Sequence, residues 1–397
     1  MARPKKIDTD EPKAKSGLSD AAKRALDFVE SLNDEKAALL DDAKGNMVDF
    51  ISSGSYAFNR MISGSYFKGY ASNRLYALHG PSGCGKSLLA GCAAREAQKK
   101  GYQIIYYDTE NAVDKMFLTR IGVDTDSLII RTPETISEFR NMASNDMKKW
   151  REKFGDDAKL FMVCDSIGNL LGTKESNDIE EGKHASDMGQ RAKEMRTCAR
   201  ALTNKCGHYN IPMVVINHSY EQAAANPHAA PTRKMSGGEG FIYACTGVIS
   251  LTKKTIREDE KNAAGDNVKV AKGVILRART DKNRVVPEGL SCEILLSFTK
   301  GLSKFYDLIV DGIEHGFFEK RTTRVYVKHL DKMFFEKQLY LKENSKDVWE
   351  GILQDLNKKV EESICYESLQ KGDFDDVLED TVENIEEETT EDSEKEN

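Results

Sequence analysis

The sequence predicts an α/β protein built on a mostly parallel sheet flanked by helices. Three observations carry that expectation. From about Phe50 to about Phe305, apolar strand-like runs alternate with amphipathic helix-like ones, as in parallel strands joined by crossover helices. A strand-like run, Leu75-Tyr76-Ala77-Leu78-His79, enters a glycine-rich turn, Gly80-Pro81-Ser82-Gly83-Cys84-Gly85-Lys86-Ser87, and a helix-like run from Leu88 to Lys99 leaves it. Two further apolar runs end in carboxylates, at Asp108 and Asp165. Open α/β sheets gather their ligands at such strand ends.

The N-terminal residues 1–17 are polar and expected to be disordered. Residues 18–49 form a small helical segment: Ala22, Ala25, Leu26, Val29 and Leu32 recur at helical spacing between Ser19 and Leu40, before a polar break at 41–46. The core spans 50–305, with its clearest strands at 103–108, 159–165, 212–217, 247–252, 274–279 and 292–298. A small α-rich region is expected over 306–372, then an acidic tail over 373–397. No internal repeat is visible.

The net charge of −7 hides an asymmetry. Residues 373–397 hold thirteen acidic residues and one lysine, a net of −12, which leaves +5 for residues 1–372. A basic body with an acidic tail fits a nucleic-acid partner for which the tail competes; a purely solubilising tail fits equally well. The eight cysteines include no C-x-x-C pair and lie mostly in apolar runs, as expected of reduced thiols packed as small hydrophobes in a cytoplasmic protein. No apolar run approaches the roughly 18 residues of a membrane-spanning helix. No apolar leader follows the lysines of residues 1–15, so no secretory signal is visible.

Gly80 to Ser87 match G-x-x-x-x-G-K-S, a phosphate-binding loop. Its glycines turn backbone N–H groups inward, Lys86 is placed for β/γ oxygens, and Ser87 for Mg²⁺. The nucleotide-binding set is therefore Gly80, Pro81, Ser82, Gly83, Cys84, Gly85, Lys86, Ser87 and Leu88, with ATP and Mg²⁺ as cofactors. Asp165, ending a buried strand, is the second anchor for the metal, through water. Glu110, just past the tip of the 103–108 run, is the candidate base for an attacking water; an ordinary loop glutamate is the plainer account.

Taken together these motifs resemble the RecA family of recombinases, most closely its phage UvsX type. The resemblance rests on Asp108-Thr109-Glu110-Asn111-Ala112-Val113-Asp114 with Arg120-Ile121-Gly122-Val123-Asp124, on Cys164-Asp165-Ser166-Ile167-Gly168-Asn169-Leu170, and on Val215-Ile216-Asn217-His218-Ser219-Tyr220-Glu221. It covers roughly residues 50–300. It implies a RecA-like P-loop ATPase core, with Glu110 as catalytic glutamate and Asp114 and Phe117 beside the adenine. His218 becomes a γ-phosphate sensor that couples to the loop after it; a structural hydrogen bond is the alternative for a lone histidine.

The resemblance also implies two DNA-facing loops, 173–187 and 219–240. The first feeds a helix, Met188 to Gly207, with Ala192, Met195, Ala199 and Leu202 on its apolar face and Arg191, Lys193, Arg196, Arg200 and Lys205 as cations. Met188, Lys193, Arg196 and Arg200 match DNA-contacting positions, though a solvated helix face would look similar. The second loop is expected to be unstructured, and it supplies Ser219, Tyr220, Ser236, Gly237 and Gly238. In Asp281-Lys282-Asn283-Arg284 the two cations would reach a neighbouring subunit's ATP, unless the segment is only a surface turn.

The expected function is ATP-dependent strand exchange by a homo-oligomeric filament on single-stranded DNA, with a DNA-dependent ATPase and with double-stranded DNA as second partner. The N-terminal segment would serve oligomerisation. A single-strand-binding protein and a loading mediator are expected partners, in the cytoplasm of a phage-infected bacterium if the UvsX likeness holds. A RecA-fold helicase and a non-hydrolysing recombination regulator are the alternatives.

Overall fold

The computed structural model describes residues 20–32, 47, 49–111, 113–182, 188–222, 232–261, 267–299, 301–340 and 342–364. In chain order the elements are α1 (Asp20–Leu32), β1 (Phe50–Ile51), α2 (Tyr56–Ser63), β2 (Tyr70–Ala71), β3 (Leu75–Gly80), α3 (Lys86–Lys99), β4 (Gln103–Asp108), α4 (Lys115–Arg120), β5 (Ile129–Arg131), α5 (Ile136–Phe154), β6 (Leu160–Asp165), α6 (Thr173–Glu180), α7 (Met188–Tyr209), β7 (Met213–Gln222), β8 (Thr232–Met235), α8 (Glu239–Ala244), β9 (Gly247–Lys261), β10 (Asn267–Asn283), β11 (Ser291–Ser297), β12 (Gly301–Leu302), α9 (Ile309–Glu314), β13 (Phe318–Arg321), β14 (Arg324–Val327), β15 (Lys332–Phe334), α10 (Lys342–Trp349) and α11 (Leu353–Ile364).

The chain divides into two units, residues 1–46 and 47–397. Within the described residues the first holds only α1, whose Phe28 is exposed. The expected continuation of this helix to Leu40 lies outside the described residues, as do the arm over 1–17 and the tail over 373–397.

The second unit is organised by a ten-stranded sheet. Its order is β12-β11-β10-β9-β3-β7-β6-β4-β5, with β8 paired to the end of β7. Strands β5, β4, β6, β7, β3 and β9 run parallel. Strands β10, β11 and β12 continue antiparallel. Side chains alternate across the parallel strands. Tyr76, Leu78, Ile104, Phe161, Val163 and Val214 bury on the face covered by α3. Leu75, Ala77, Ile105, Met162, Cys164 and Val215 bury on the other, against Phe139 and Met147 of α5 and Met195, Ala199 and Leu202 of α7. Runs apolar on both faces are what a doubly covered sheet requires.

Several expectations are corrected in extent. The 219–240 segment is not wholly unstructured: Ser219 to Gln222 pairs antiparallel with Thr232 to Met235, and 223–231 lies outside the described residues. The segment is polar without alternation, so no sequence period marks the hairpin. The 173–187 loop begins as α6, whose first turn is closed by the Glu175 carboxylate accepting from Gly172 N–H at 3.2 Å. Strand β9 runs well past 252 and β10 starts well before 274, and the two pair there as an antiparallel ribbon.

The region after 305 carries a three-stranded antiparallel sheet, β13-β14-β15, beside its helices. It shares the core of α2 and α3: Phe318, Val325, Trp349 and Leu356 belong to the same buried cluster. Two polar anchors fix it. Asp311 of α9 pairs with Arg60 of α2 and accepts from the Tyr66 hydroxyl at 2.6 Å. Asn357 of α11 accepts from Tyr66 N–H at 2.6 Å and Ser65 Oγ at 3.0 Å. Seven cysteines, Cys84, Cys92, Cys164, Cys198, Cys206, Cys245 and Cys292, are buried free thiols. Among the described residues no helix is long and apolar enough to cross a membrane.

Candidate nucleotide and nucleic-acid site

Parallel register brings the functional residues together. Gly80 of β3 lies opposite His218 of β7, and Asp108 of β4 opposite Asp165 of β6, so four carboxyl ends open on one edge. The phosphate loop closes β3 onto α3. Gly83 and Gly85 take left-handed φ values of 67° and 85°. At Gly85 a Cβ would stand 2.7 Å from Leu276 Cδ1, so both conformation and space demand glycine. Lys86 is buried and donates to the carbonyls of Gly80 (3.0 Å) and Pro81 (2.9 Å), which folds its ammonium over the loop. Cys84 is buried beneath the loop, and burial pushes its thiol up against the pull of Lys86. Ser82 is exposed, Ser87 opens the first turn of α3, and Leu88 turns into the core.

Asp165 sits across from Ser87. Burial raises its pKa, while hydrogen bonds from the Ser87 and Tyr106 hydroxyls oppose the rise, the latter at 2.9 Å to Oδ2. The Asp165–Ser166 peptide is cis. A hydroxyl beside a lysine-bearing loop, with a carboxylate behind it, offers hard oxygen donors of the kind Mg²⁺ takes. The donor set therefore fits a phosphate-bound Mg²⁺, which Ser87 and Asp165 would hold.

Glu110 is held by its own loop. Asp108, buried, accepts from the N–H groups of Glu110 (3.2 Å) and Val113 (3.0 Å). The Glu110 Oε1 atom accepts from Ser166 Oγ at 3.0 Å and lies 3.2 Å from His218 Nε2, which is 3.1 Å from Ser166 Oγ. With the serine proton spent on Glu110, His218 Nε2 is the donor in its contacts. From His218 the line continues. Its N–H donates to Asn217 Oδ1 (2.8 Å), Asn217 Nδ2 to Ser236 O (2.8 Å), and Ser236 N–H to His218 O (3.0 Å). Through the side chain and then the backbone of His218, Glu110 is thus linked to Ser236 near the far end of the 219–240 segment.

Asp114 is the N-cap of α4 and accepts from Met116 N–H at 2.8 Å. Phe117, partly exposed, and Asp114 line one cavity together with Ser87, Glu110 and Asp165.

On the outer face of α7, Lys193, Arg196 and Arg200 are exposed. Arg191, another cation of this helix, turns toward the protein. Its guanidinium donates to the Gly168 (2.6 Å) and Leu170 (3.1 Å) carbonyls and anchors the turn after β6. The Met188 side chain lies outside the described residues. Gly237 and Gly238 have φ of 95° and 79°, and a Cβ on Gly237 would stand 2.8 Å from Met195 Cε. The glycine end of the 219–240 segment is therefore packed on α7, bringing both loop ends to the same helix. Ser219 is half-buried and Tyr220 exposed.

Lys282 and Arg284 are brought together at the end of α8, apart from this hydrogen-bonded set. Lys282 Nζ donates to the carbonyls of Ile242 (3.1 Å) and Tyr243 (2.6 Å), and Arg284 to that of Tyr243 (3.1 Å). Burial and then Arg284 lower the Lys282 pKa. Asn283 between them is buried and donates to Ile62 O at 3.1 Å, which fixes the segment that carries the two cations.

Sequence reasoning missed Tyr106, Ser166 and Asn217 as site residues. The last two stood inside quoted motifs. For Tyr106 the only signal was a polar atom on a strand otherwise apolar on that face.

A family model described as the RecA N-terminal domain matches residues 21–303. Among curated relatives, Protein RecA of Desulforapulum autotrophicum is 26% identical over 276 residues, 69% of this chain and 72% of its own. Protein RecA of Staphylococcus epidermidis is 25% identical over 370 residues, 90% of this chain and 96% of its own. Protein RecA of Nitratiruptor is 27% identical over 302 residues, 75% and 81% respectively. With a model match across most of its length, on a sheet whose strand ends carry the loop and both carboxylates, this chain belongs to the RecA family.

Proposed function

We propose that this chain is an ATP-dependent DNA strand-exchange recombinase of the UvsX type. It assembles as a helical filament on single-stranded DNA for homologous recombination, repair and recombination-dependent replication. The observation that carries the reading is the hydrogen-bonded line from Glu110 through Ser166, His218 and Asn217 to Ser236. It ties the nucleotide end of the site to the segment expected to meet DNA. The test is ATP hydrolysis with and without single-stranded DNA. Stimulation by DNA supports the reading, and hydrolysis indifferent to DNA removes the coupling it rests on.

In this mechanism the loop amides and Lys86 hold the β- and γ-phosphates, and Ser87 and Asp165 hold the metal. Mg²⁺, when bound, neutralises charge on the transferring phosphoryl group. Glu110 orients and deprotonates the attacking water. His218 Nε2–H faces a choice between Glu110 and a γ-phosphate oxygen. Engaging the phosphate draws it from Glu110 and shifts the Asn217–Ser236 link. Nucleotide state thereby becomes a bias on the 219–240 segment, and ATP acts as a ligand with different affinities for two filament states. Lys193, Arg196 and Arg200 meet DNA phosphates, and base pairing with the bound strand reads sequence. A single-strand-binding protein and a loading mediator would assist assembly.

Lys282 and Arg284 act on a neighbouring subunit's ATP. The double Lys282→Ala/Arg284→Ala protein is expected to fold yet lose DNA-stimulated hydrolysis. Mixed with Lys86→Ala protein, it should regain part of that activity, because some interfaces pair an intact loop with intact cations. Absence of rescue in demonstrably mixed filaments counts against action in trans.

The tail gives a salt-dependent expectation. Residues 373–397 carry −12 against +5 for the rest. Deleting them should tighten duplex DNA binding at low salt, with the gain shrinking as salt screens the charges. Affinities measured across a salt series decide it. Equal values for both proteins at low salt would leave the tail as a solubiliser or a protein-docking segment.

A further inference from the structure

Asp165 depends on a residue that no phosphate-loop motif contains. Tyr106 lies on β4 next to β6, with its ring on the face covered by α3 and only 2% of its surface exposed. Its neighbour on the same face, Ile104, is aliphatic and equally buried. A buried phenol needs a partner, and this one is aimed at Asp165 Oδ2, 2.9 Å away. Against a carboxylate oxygen the phenol can only be the donor. Tyr106 also lines the cavity that Ser87 and Asp165 share.

We propose that Tyr106 is a positioning residue for the metal anchor: by occupying Oδ2 it fixes the Asp165 carboxylate so that its remaining lone pairs face the Mg²⁺-water of the nucleotide complex. The inference rests on the nucleotide reading above. It does not require Tyr106 to touch nucleotide or metal. One hydroxyl removed leaves the ring's packing in place and leaves the carboxylate held by the Ser87 hydroxyl alone, the side that faces the nucleotide.

The test is binding of a fluorescent ADP by the full chain in a Mg²⁺ titration and separately in EDTA. Tyr106→Phe should raise the Mg²⁺ concentration for half-maximal tightening by about tenfold, the scale of one hydrogen bond to a charged group. Affinity in EDTA should stay within about twofold of the parent, since uniform damage to the pocket would weaken both conditions alike. A double-mutant cycle removes the dependence on one variant. Adding Tyr106→Phe to Asp165→Asn should cost no further Mg²⁺ response if the tyrosine acts through the aspartate. A Tyr106→Phe titration superimposed on the parent, or equal loss with and without Mg²⁺, overturns the proposal. Failure of the parent chain to bind Mg·ADP at all would instead overturn the nucleotide reading.

Discussion

Glu110→Gln is expected to slow ATP hydrolysis by about 10²–10⁴-fold while leaving nucleotide binding nearly intact, the scale of losing a positioned general base. The geometry makes the change local. The loop that carries Glu110 is held by Asp108, which accepts from two of its N–H groups, and not by the Glu110 side chain. Glutamine can still accept from Ser166 Oγ through its own carbonyl oxygen, so the His218 link is kept while the basic carboxylate is lost. Binding is measured with a fluorescent nucleotide and turnover by phosphate release. Near-parental turnover in Glu110→Gln would remove Glu110 from the base role and shift attention to His218, 3.2 Å away. A loss of binding equal to the loss of turnover would mean that the side chain shapes the pocket instead.

The second large effect is on stability. Asp311→Ala is expected to cost about 3–5 kcal/mol, the range for breaking one side of a buried ion pair. Asp311 is 2% exposed and Arg60 17%. Burial raises the Asp311 pKa, and the Arg60 charge and the Tyr66 hydrogen bond are the largest pulls against that rise. Alanine would leave a guanidinium that cannot deprotonate, with its Nε already lacking a hydrogen-bond partner, and a Tyr66 hydroxyl without its acceptor. The loss falls on the joint between α2 and α9, hence on docking of the region after 305. Denaturant unfolding of Asp311→Ala measures it. The Arg60→Met/Tyr66→Phe/Asp311→Leu triple variant should recover most of the loss, because apolar side chains then replace the buried pair and no hydroxyl is left without an acceptor. A change below about 1 kcal/mol in Asp311→Ala would show the pair to be solvated in practice.

The parts of the site that were legible in the sequence are those governed by local chemistry. A loop that wraps phosphate needs glycines at fixed spacing between a strand and a helix, so Gly83, Gly85, Lys86 and Ser87 stand in the order that the structure shows. Buried parallel strands need unbroken apolar runs, so β3, β4 and β6 were found almost to the residue. The helix from 188 was found from its buried face, and its exposed cations from the remainder.

Long-range partners were not legible. Arg191 reads as one more cation on a helix, and only the turn after β6 turns it into an anchor for two carbonyls. The hairpin within 219–240 carries no alternation, because its pairing comes from the extension of β7 beyond the sheet. The ribbon of β9 and β10 is polar for the same reason.

The sequence by itself determined the fold class, the phosphate loop and the two carboxylates at strand ends, since each follows from periodicity or from spacing within one segment. Only the tertiary structure decided what those groups are joined to. Tyr106 meets Asp165 from the adjacent strand, Glu110 meets His218 across 108 residues of chain, and Lys282 lands on the last carbonyls of α8. Such pairings are set by strand order and register, which place side chains from distant segments within hydrogen-bond reach; no local pattern encodes that distance.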